Sequence, residues 1–257
     1  MLHLLKTEWL VLSRSWIFWI ISSLLIISMI VFPSFIFSRV DDASTRFQML
    51  ANAFSFPTVF NTMSVLQLLP FQLISIYFIS LVCSGFETKT YHLHILSGKT
   101  KNELWLSKFS LGIIFCLIST FLVFILSLFF GFINDDEYVV IMNSNSAKWL
   151  LLFFIQTFAF ISYGTTIGLI IKRTGPAILV YILWFGLFDR IIAHFMPHPL
   201  NDFFPGQSIE ILTKLDVAKP FAIIHDELSP ISKSLVATFW IIFSNIINIL
   251  LYRKAKY

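Results

Sequence analysis

Six long apolar runs set the terms for this chain. They cover roughly residues 16–38, 63–85, 107–132, 148–171, 175–195 and 234–252 of its 257 residues. A helix needs about 20 mostly apolar residues to cross a bilayer core of ~30 Å. In lipid the backbone N–H and C=O groups must pair within the segment, so runs of this length are read as helices. Pro33, Pro70 and Pro176 lie in or at the ends of these runs. Pro176 follows Gly175 and suits a first helical turn, where its missing N–H leaves no bond unmade. Pro33 and Pro70 are expected to kink their helices, which membrane helices tolerate. The first run is not read as a signal peptide, because it is long and no small-residue cleavage site follows it.

Composition agrees with the runs. The chain is 57% hydrophobic and only 12% charged, with a mean hydropathy of +0.83. Soluble domains run at about 45–50% apolar and ~25% charged. A soluble core has no place for so much apolar surface, so the bilayer is the expected solvent. The net charge of +4 is modest and implies no nucleic-acid partner. Cys83 and Cys116 both fall within apolar runs and read as buried small hydrophobes, not as a disulfide or metal ligands.

The charges are unevenly placed. With six spans both termini share a side, together with the 86–107 loop and the 172–174 turn. That side carries eleven Lys and Arg against three acids, and the other side seven against eleven. Basic residues in short loops mark the cytoplasmic face, so both termini are expected there. The outer segments are then 39–62, 133–147 and 196–233.

Residues 1–15 carry Leu2, Leu5, Trp9 and Leu12 at helical spacing, continued by Trp16. The stripe predicts an amphipathic helix lying in the interface, with tryptophan at headgroup depth. The segment from Met196 to Lys233 holds Pro197, Pro199, Pro205, Pro220 and Pro230, yet 209–215 and 220–225 are apolar enough to pack. Short outer helices or re-entrant turns before the last span are expected. No internal repeat is visible, which weakens a repeat-built secondary transporter.

One short motif needs explanation. The stretch Tyr91–Glu103 contains Gly98-Lys99-Thr100, the ending of a phosphate-binding loop. Such a loop needs an earlier glycine five positions before Gly98, after a strand and before a helix. Position 93 is leucine, and a membrane helix precedes it. Helix punctuation explains the same residues. Gly98 suits a C-terminal cap of a short helix, where positive φ is required. Thr100-Lys101-Asn102-Glu103 is a T-x-x-E capping box that starts the next helix.

From Glu87 onward the chain reads E-x-x-T, then Leu96, Gly98, Lys101, Glu103 and Lys108. This resembles the segment after the second span in ABC-2 type transporter permeases, the membrane subunits of a class of ATP-binding-cassette exporters. The family pattern is roughly E-x-G-T, a leucine, a small residue or proline, an arginine, and a lysine at the next span. Here Lys89 stands for the glycine and Lys101 for the arginine. The overall layout is similar too, and the specific match covers Gly85 to Lys108.

The resemblance implies an all-α membrane protein, one transmembrane domain over 1–257 with six transmembrane helices, an N-terminal interfacial helix and a coupling segment at 86–107. It implies pairing with a second permease copy or a homologue. It also implies binding to separate ABC ATPase subunits, which hold the ATP and Mg while the permease itself binds no cofactor and catalyses nothing. Glu87, Tyr91, His92, Leu93, His94, Leu96, Lys99 and Lys101 are the expected ATPase contacts. The location implied is the plasma membrane, and the activity export of a substrate the sequence does not name. Without the resemblance, the same segment reads as a basic loop on anionic headgroups.

Other polar residues bear on chemistry. Gln67, Gln72, Gln156, Asn245 and Asn248 lie within the spans and either bond between helices or line a substrate path. His92 and His94 are two apart and diverge on a helix, so no metal site is expected of them. His194 and His198, with Asp189 and Asp202, are the nearest approach to a metal set. Pro197 interrupts their shared face, and they read better as polar residues at a span end, where Asp189 and Arg190 find partners. A stand-alone membrane enzyme would need a convergent catalytic set, and an ion-coupled transporter charges near mid-membrane. Neither is visible in the sequence.

Overall fold

The computed structural model describes residues 16–37, 54–134, 144–196, 203, 206 and 230–254. The expected interfacial helix at 1–15, the segments 209–215 and 220–225, His198 and Asp202 lie outside them. The described residues are helical, without a strand. Helix α1 is Trp16–Phe37, α2 Val59–Leu66, α3 Leu68–Glu87, α4 Thr90–Leu96, α5 Lys101–Asn134 and α6 Ser144–Ile171. Helix α7, Thr174–Leu183, runs through a π-helical turn, Trp184–Phe188, into α8, Asp189–Phe195, and α9 is Pro230–Lys254. By length and composition, Lys101–Ile133, Ser146–Ile171 and Leu235–Lys254 are each long and apolar enough to cross a membrane. Shorter apolar stretches lie at Ser22–Phe35, Gln72–Glu87 and Thr174–Phe188.

Helix α6 is the hub and packs against α2, α3, α5, α7 and α9. Lipid is as apolar as leucine, so helices in a membrane associate through close packing and polar contacts. The face of α6 towards α3 is built for this. A side chain on Gly164 would meet the Ser75 carbonyl at 3.1 Å, and one on Gly168 would meet Cys83 Sγ at 3.4 Å. These two glycines form a G-x-x-x-G motif, and α3 answers with Ser75, Ile79 and Cys83 four residues apart. The outer face of α5, by contrast, exposes Leu117, Phe121, Ile125 and Phe129.

Two prolines are handled in a linked way. Pro33 lies inside α1, so Met29 loses the N–H that its carbonyl would accept. Gln67, wholly buried, supplies a substitute: its Nε2 donates to the Met29 carbonyl at 3.0 Å. Gln67 itself occupies the break between α2 and α3. Position 70 is proline, which has no N–H to offer the carbonyl four residues back, on Leu66. The second apolar run is therefore two helices, not one span from 63.

The end of the expected outer segment 39–62 packs on the bundle. Phe54, Val59, Phe60 and Met63 are buried, and α2 packs on α5 and α6. Asn61, Thr62 and Ser64 are buried with them. Inside the helix, Thr62 and Ser64 turn their hydroxyls back to the carbonyls of Thr58 and Phe60, which removes much of the cost of burying them.

The rod from α7 to α8 buries Ala177, Tyr181, Phe185 and Asp189, each four residues after the last. A plain α-helix slips ~40° per step of four. The wide turn at Trp184–Phe188 winds less per residue and holds the later members on the inner face.

Candidate functional site

The corner joining α3, α4 and α5 is set by local sequence. Helix α4 ends in a Schellman motif: Gly98 N donates to the Ile95 carbonyl at 3.0 Å and Lys99 N to His94 at 3.1 Å. Gly98 has φ +85°, the left-handed conformation this motif demands. Two residues later the capping box forms. Thr100 N donates to Glu103 Oε2 at 2.9 Å, and Glu103 N to Thr100 Oγ1 at 3.3 Å. The entry to α4 is left-handed too, with Lys89 at φ 56°.

The structure divides the eight expected contact residues into two groups. Tyr91, 2% exposed, turns into the bundle. Its ring packs against Phe86 and Tyr252, its hydroxyl is 3.4 Å from that of Tyr252, and Lys108 Nζ stands 6.0 Å from its centroid. Gly85 leaves room for it, since a Cβ there would overlap the Tyr91 ring. Glu87 is exposed but reaches across to cap α7, accepting from Thr174 N at 2.7 Å and from Thr174 Oγ1 at 3.1 Å. Lys101 Nζ donates to the Arg253 carbonyl at 3.0 Å, and Arg253 Nε to Asn102 Oδ1, which ties the end of α9 to the corner. These three residues hold the corner in place. The remaining set faces outward. His92 is exposed, and Leu93 and Leu96 are 61% and 70% exposed. His94 Nδ1 is 3.1 Å from Lys99 Nζ at the helix end.

The five polar residues expected within spans separate likewise. Asn245 and Asn248 meet α6 in one seam. Asn245 Nδ2 donates to Ser162 Oγ at 3.1 Å, and Asn248 Nδ2 to Thr165 Oγ1 at 2.9 Å and the Ser162 carbonyl at 3.3 Å. Thr166 and Ser244 pair their hydroxyls at 2.7 Å in the same seam. Amides and hydroxyls of this kind hold and orient through hydrogen bonds. Gln67 serves α1 as described, Gln156 is buried, and Gln72 is half-buried.

At the opposite end of the rod, Asp189 is 1% exposed and accepts from Gly206 N at 3.0 Å. His194 is exposed, so the two do not share an environment. Among the described residues no three His, Cys, Asp or Glu side chains gather as a metal site. Cys83 and Cys116 are free and buried, as expected.

The G-x-x-x-G motif at Gly164–Gly168 escaped the sequence reading, though its spacing was in plain view. The inward turn of Tyr91 had a quieter signal in the glycine six residues before it. No family model, curated protein or solved structure matches this chain.

Proposed function

We infer that this chain is the membrane-spanning permease subunit of an ATP-binding-cassette exporter of the ABC-2 type. The observation that carries the reading is α4. It is a seven-residue helix, entered through a left-handed Lys89, closed at its C-terminal end by the Schellman motif and rooted in the bundle by Tyr91, with Leu93 and Leu96 bare beside His92. A rigid, rooted helix with an apolar face outside the bundle suits a lever that a second protein grips. Its partner would be a separate ATPase that holds the ATP and Mg. Glu87, Tyr91 and Lys101 would pass its movement to α7, α9 and α5, because their bonds reach those helices.

A departure from the resembled pattern supports the same reading. Lys89 stands where the pattern has glycine, and its φ is 56°, the region glycine enters without steric cost. The backbone keeps the bend that the pattern's glycine serves. Six spans would cross the plasma membrane with both termini in the cytoplasm: α1, α3, α5, α6, the rod from α7 to α8, and α9. A second copy or a homologue would complete the transport path.

The test is co-purification with ABC ATPase subunits from the same genome, co-expressed with this chain. The expected result is a stable complex that is lost when Leu93 and Leu96 are both changed to Asp, while the folded permease is still recovered. A chain that binds no ATPase overturns the reading.

A further inference from the structure

Where α5, α6 and α9 meet, a crevice runs along the helices. It is lined from Trp105 to Gly112 on α5 and from Asn245 to Tyr252 on α9. Each stretch rises about 10 Å along its helix, which sets the length of the crevice. Trp105, Phe109 and Phe158 form an apolar wall. All three rings are half-buried. They stand in a row, with centroids 5.0 Å apart for Trp105 and Phe109 and 5.5 Å for Phe109 and Phe158. About 330 Å³ of space lies between the walls, the open mouth included.

One end of the crevice lies where α5 begins and α9 stops, and Arg253 joins the two helices there. Its Nε donates to Asn102 Oδ1 at 3.2 Å, and its carbonyl accepts from Lys101 Nζ at 3.0 Å. A guanidinium carries five N–H groups, and Asn102 takes one. Arg253 and Lys254 are exposed, and no acid among the described residues pairs with either. The described residues at this end of the bundle carry eight Lys and Arg against two acids. Both acids are committed elsewhere, Glu87 to Thr174 and Glu103 to Thr100. Arginine grips phosphate through paired N–H bonds, and basic pockets between membrane helices take anionic headgroups. Trp105, one turn in from Lys101, stands where tryptophan marks headgroup depth.

We propose that the crevice binds an anionic phospholipid, its phosphate on Arg253 and Lys254 and the upper part of one acyl chain along Trp105, Phe109 and Phe158. Charge selects this occupant. A zwitterionic lipid offers the same chain without a net negative headgroup. A second copy of this chain would have to bring an acidic surface to the mouth, and this end of the bundle is mainly cationic. The site needs only a bilayer around the helices, so it stands or falls apart from the ATPase reading.

Native mass spectrometry of the full chain, released from detergent holding equal amounts of phosphatidylglycerol and phosphatidylcholine, tests this. The chain is expected to retain phosphatidylglycerol in preference. A basic residue near a membrane surface is worth about fivefold in affinity, so Arg253→Gln with Lys254→Gln should lower the preference roughly 25-fold. Lys172→Gln with Arg173→Gln removes the same charge from the turn between α6 and α7 and should leave it nearly unchanged. Equal retention of the two lipids overturns the proposal, as does an equal loss in both double variants, which would mean a diffuse surface charge. Displacement by inorganic phosphate, or a second chain retained in place of lipid, also overturns it. Placement needs no variant: a phosphatidylglycerol with a photoreactive acyl chain should label residues 105–112 or 158–165, and labelling confined to other segments sinks the idea.

Discussion

Gln67 hands its amide proton to the carbonyl of Met29, thirty-eight residues away, and so mends the gap that Pro33 leaves in another helix. The donor stands at a proline-induced break of its own. Two discontinuities are thereby joined in a single contact between α1 and the junction of α2 with α3. Polar bonds between membrane helices average about 0.6 kcal/mol and reach about 1.7. Gln67→Leu should destabilise the fold by about 1 kcal/mol, a loss in that range. In a Pro33→Ala background the alanine supplies the N–H itself, and the loss should shrink. A double-mutant cycle on thermal unfolding in detergent measures the coupling, and additive effects would rule the linkage out.

Lys89 adopts φ 56° without a stabilising side-chain cap. A left-handed backbone costs a side-chain-bearing residue roughly 1–2 kcal/mol, and glycine gives back about 0.5–1 through its freer unfolded chain. Lys89→Gly should therefore be neutral to stabilising by about 1 kcal/mol, and Lys89→Val should be destabilising. Unfolding temperatures of the two variants should lie on opposite sides of the parent, or at least in that order.

The approach of α6 to α3 leaves little room at Gly164 and more at Gly168. Gly164→Val places two methyl groups against the Ser75 backbone, and overpacking of this sort costs about 1–3 kcal/mol. Gly168→Ala meets only ordinary contact with Cys83. Monodisperse yield after detergent extraction should fall sharply for the first and little for the second. The reverse ranking would contradict the packing described.

Glu87 caps α7 from a different helix, with both carboxylate oxygens engaged at Thr174. Removing an N-cap acceptor costs about 0.5–2 kcal/mol. Glu87→Ala should lower stability by about 0.5–1 kcal/mol. The same change in a Thr174→Ala background should cost less, because one of the two bonds is already gone. Hydrogen exchange at the first turn of α7 offers a local readout: its amides should exchange faster once Glu87 is replaced.

The sequence discloses local events well. Gly98, Thr100 and Glu103 form a stop and a start whose partners lie within a few residues, so spacing alone suffices to read them. The apolar runs likewise show where helices form, because hydropathy is summed along the chain. What stays hidden is nonlocal or reverses an average. Tyr91 faces inward on a helix too short for its seven residues to declare a face. Lys101 and Glu87 find partners 152 and 87 residues away, and no spacing rule connects them. Asn61, Thr62 and Ser64 are buried in Val59–Leu66, where Thr62 and Ser64 bond back to carbonyls of the same helix, a local arrangement that hydropathy does not report. The break at Gln67, by contrast, was legible in Pro70, since a proline withholds a donor from the carbonyl four residues back wherever a helix is attempted.

The π-helical turn at Trp184–Phe188 has a consequence for the chain's tolerance of change. It keeps a four-residue beat, Ala177 to Asp189, in phase with a structure whose natural beat is shorter. One residue deleted within that turn would advance everything downstream by about 100° around the axis. Asp189 would swing from Gly206 towards the apolar outside, carrying a carboxylate with it. Elsewhere on the rod a substitution changes one side chain, but here the count of residues is itself the thing preserved.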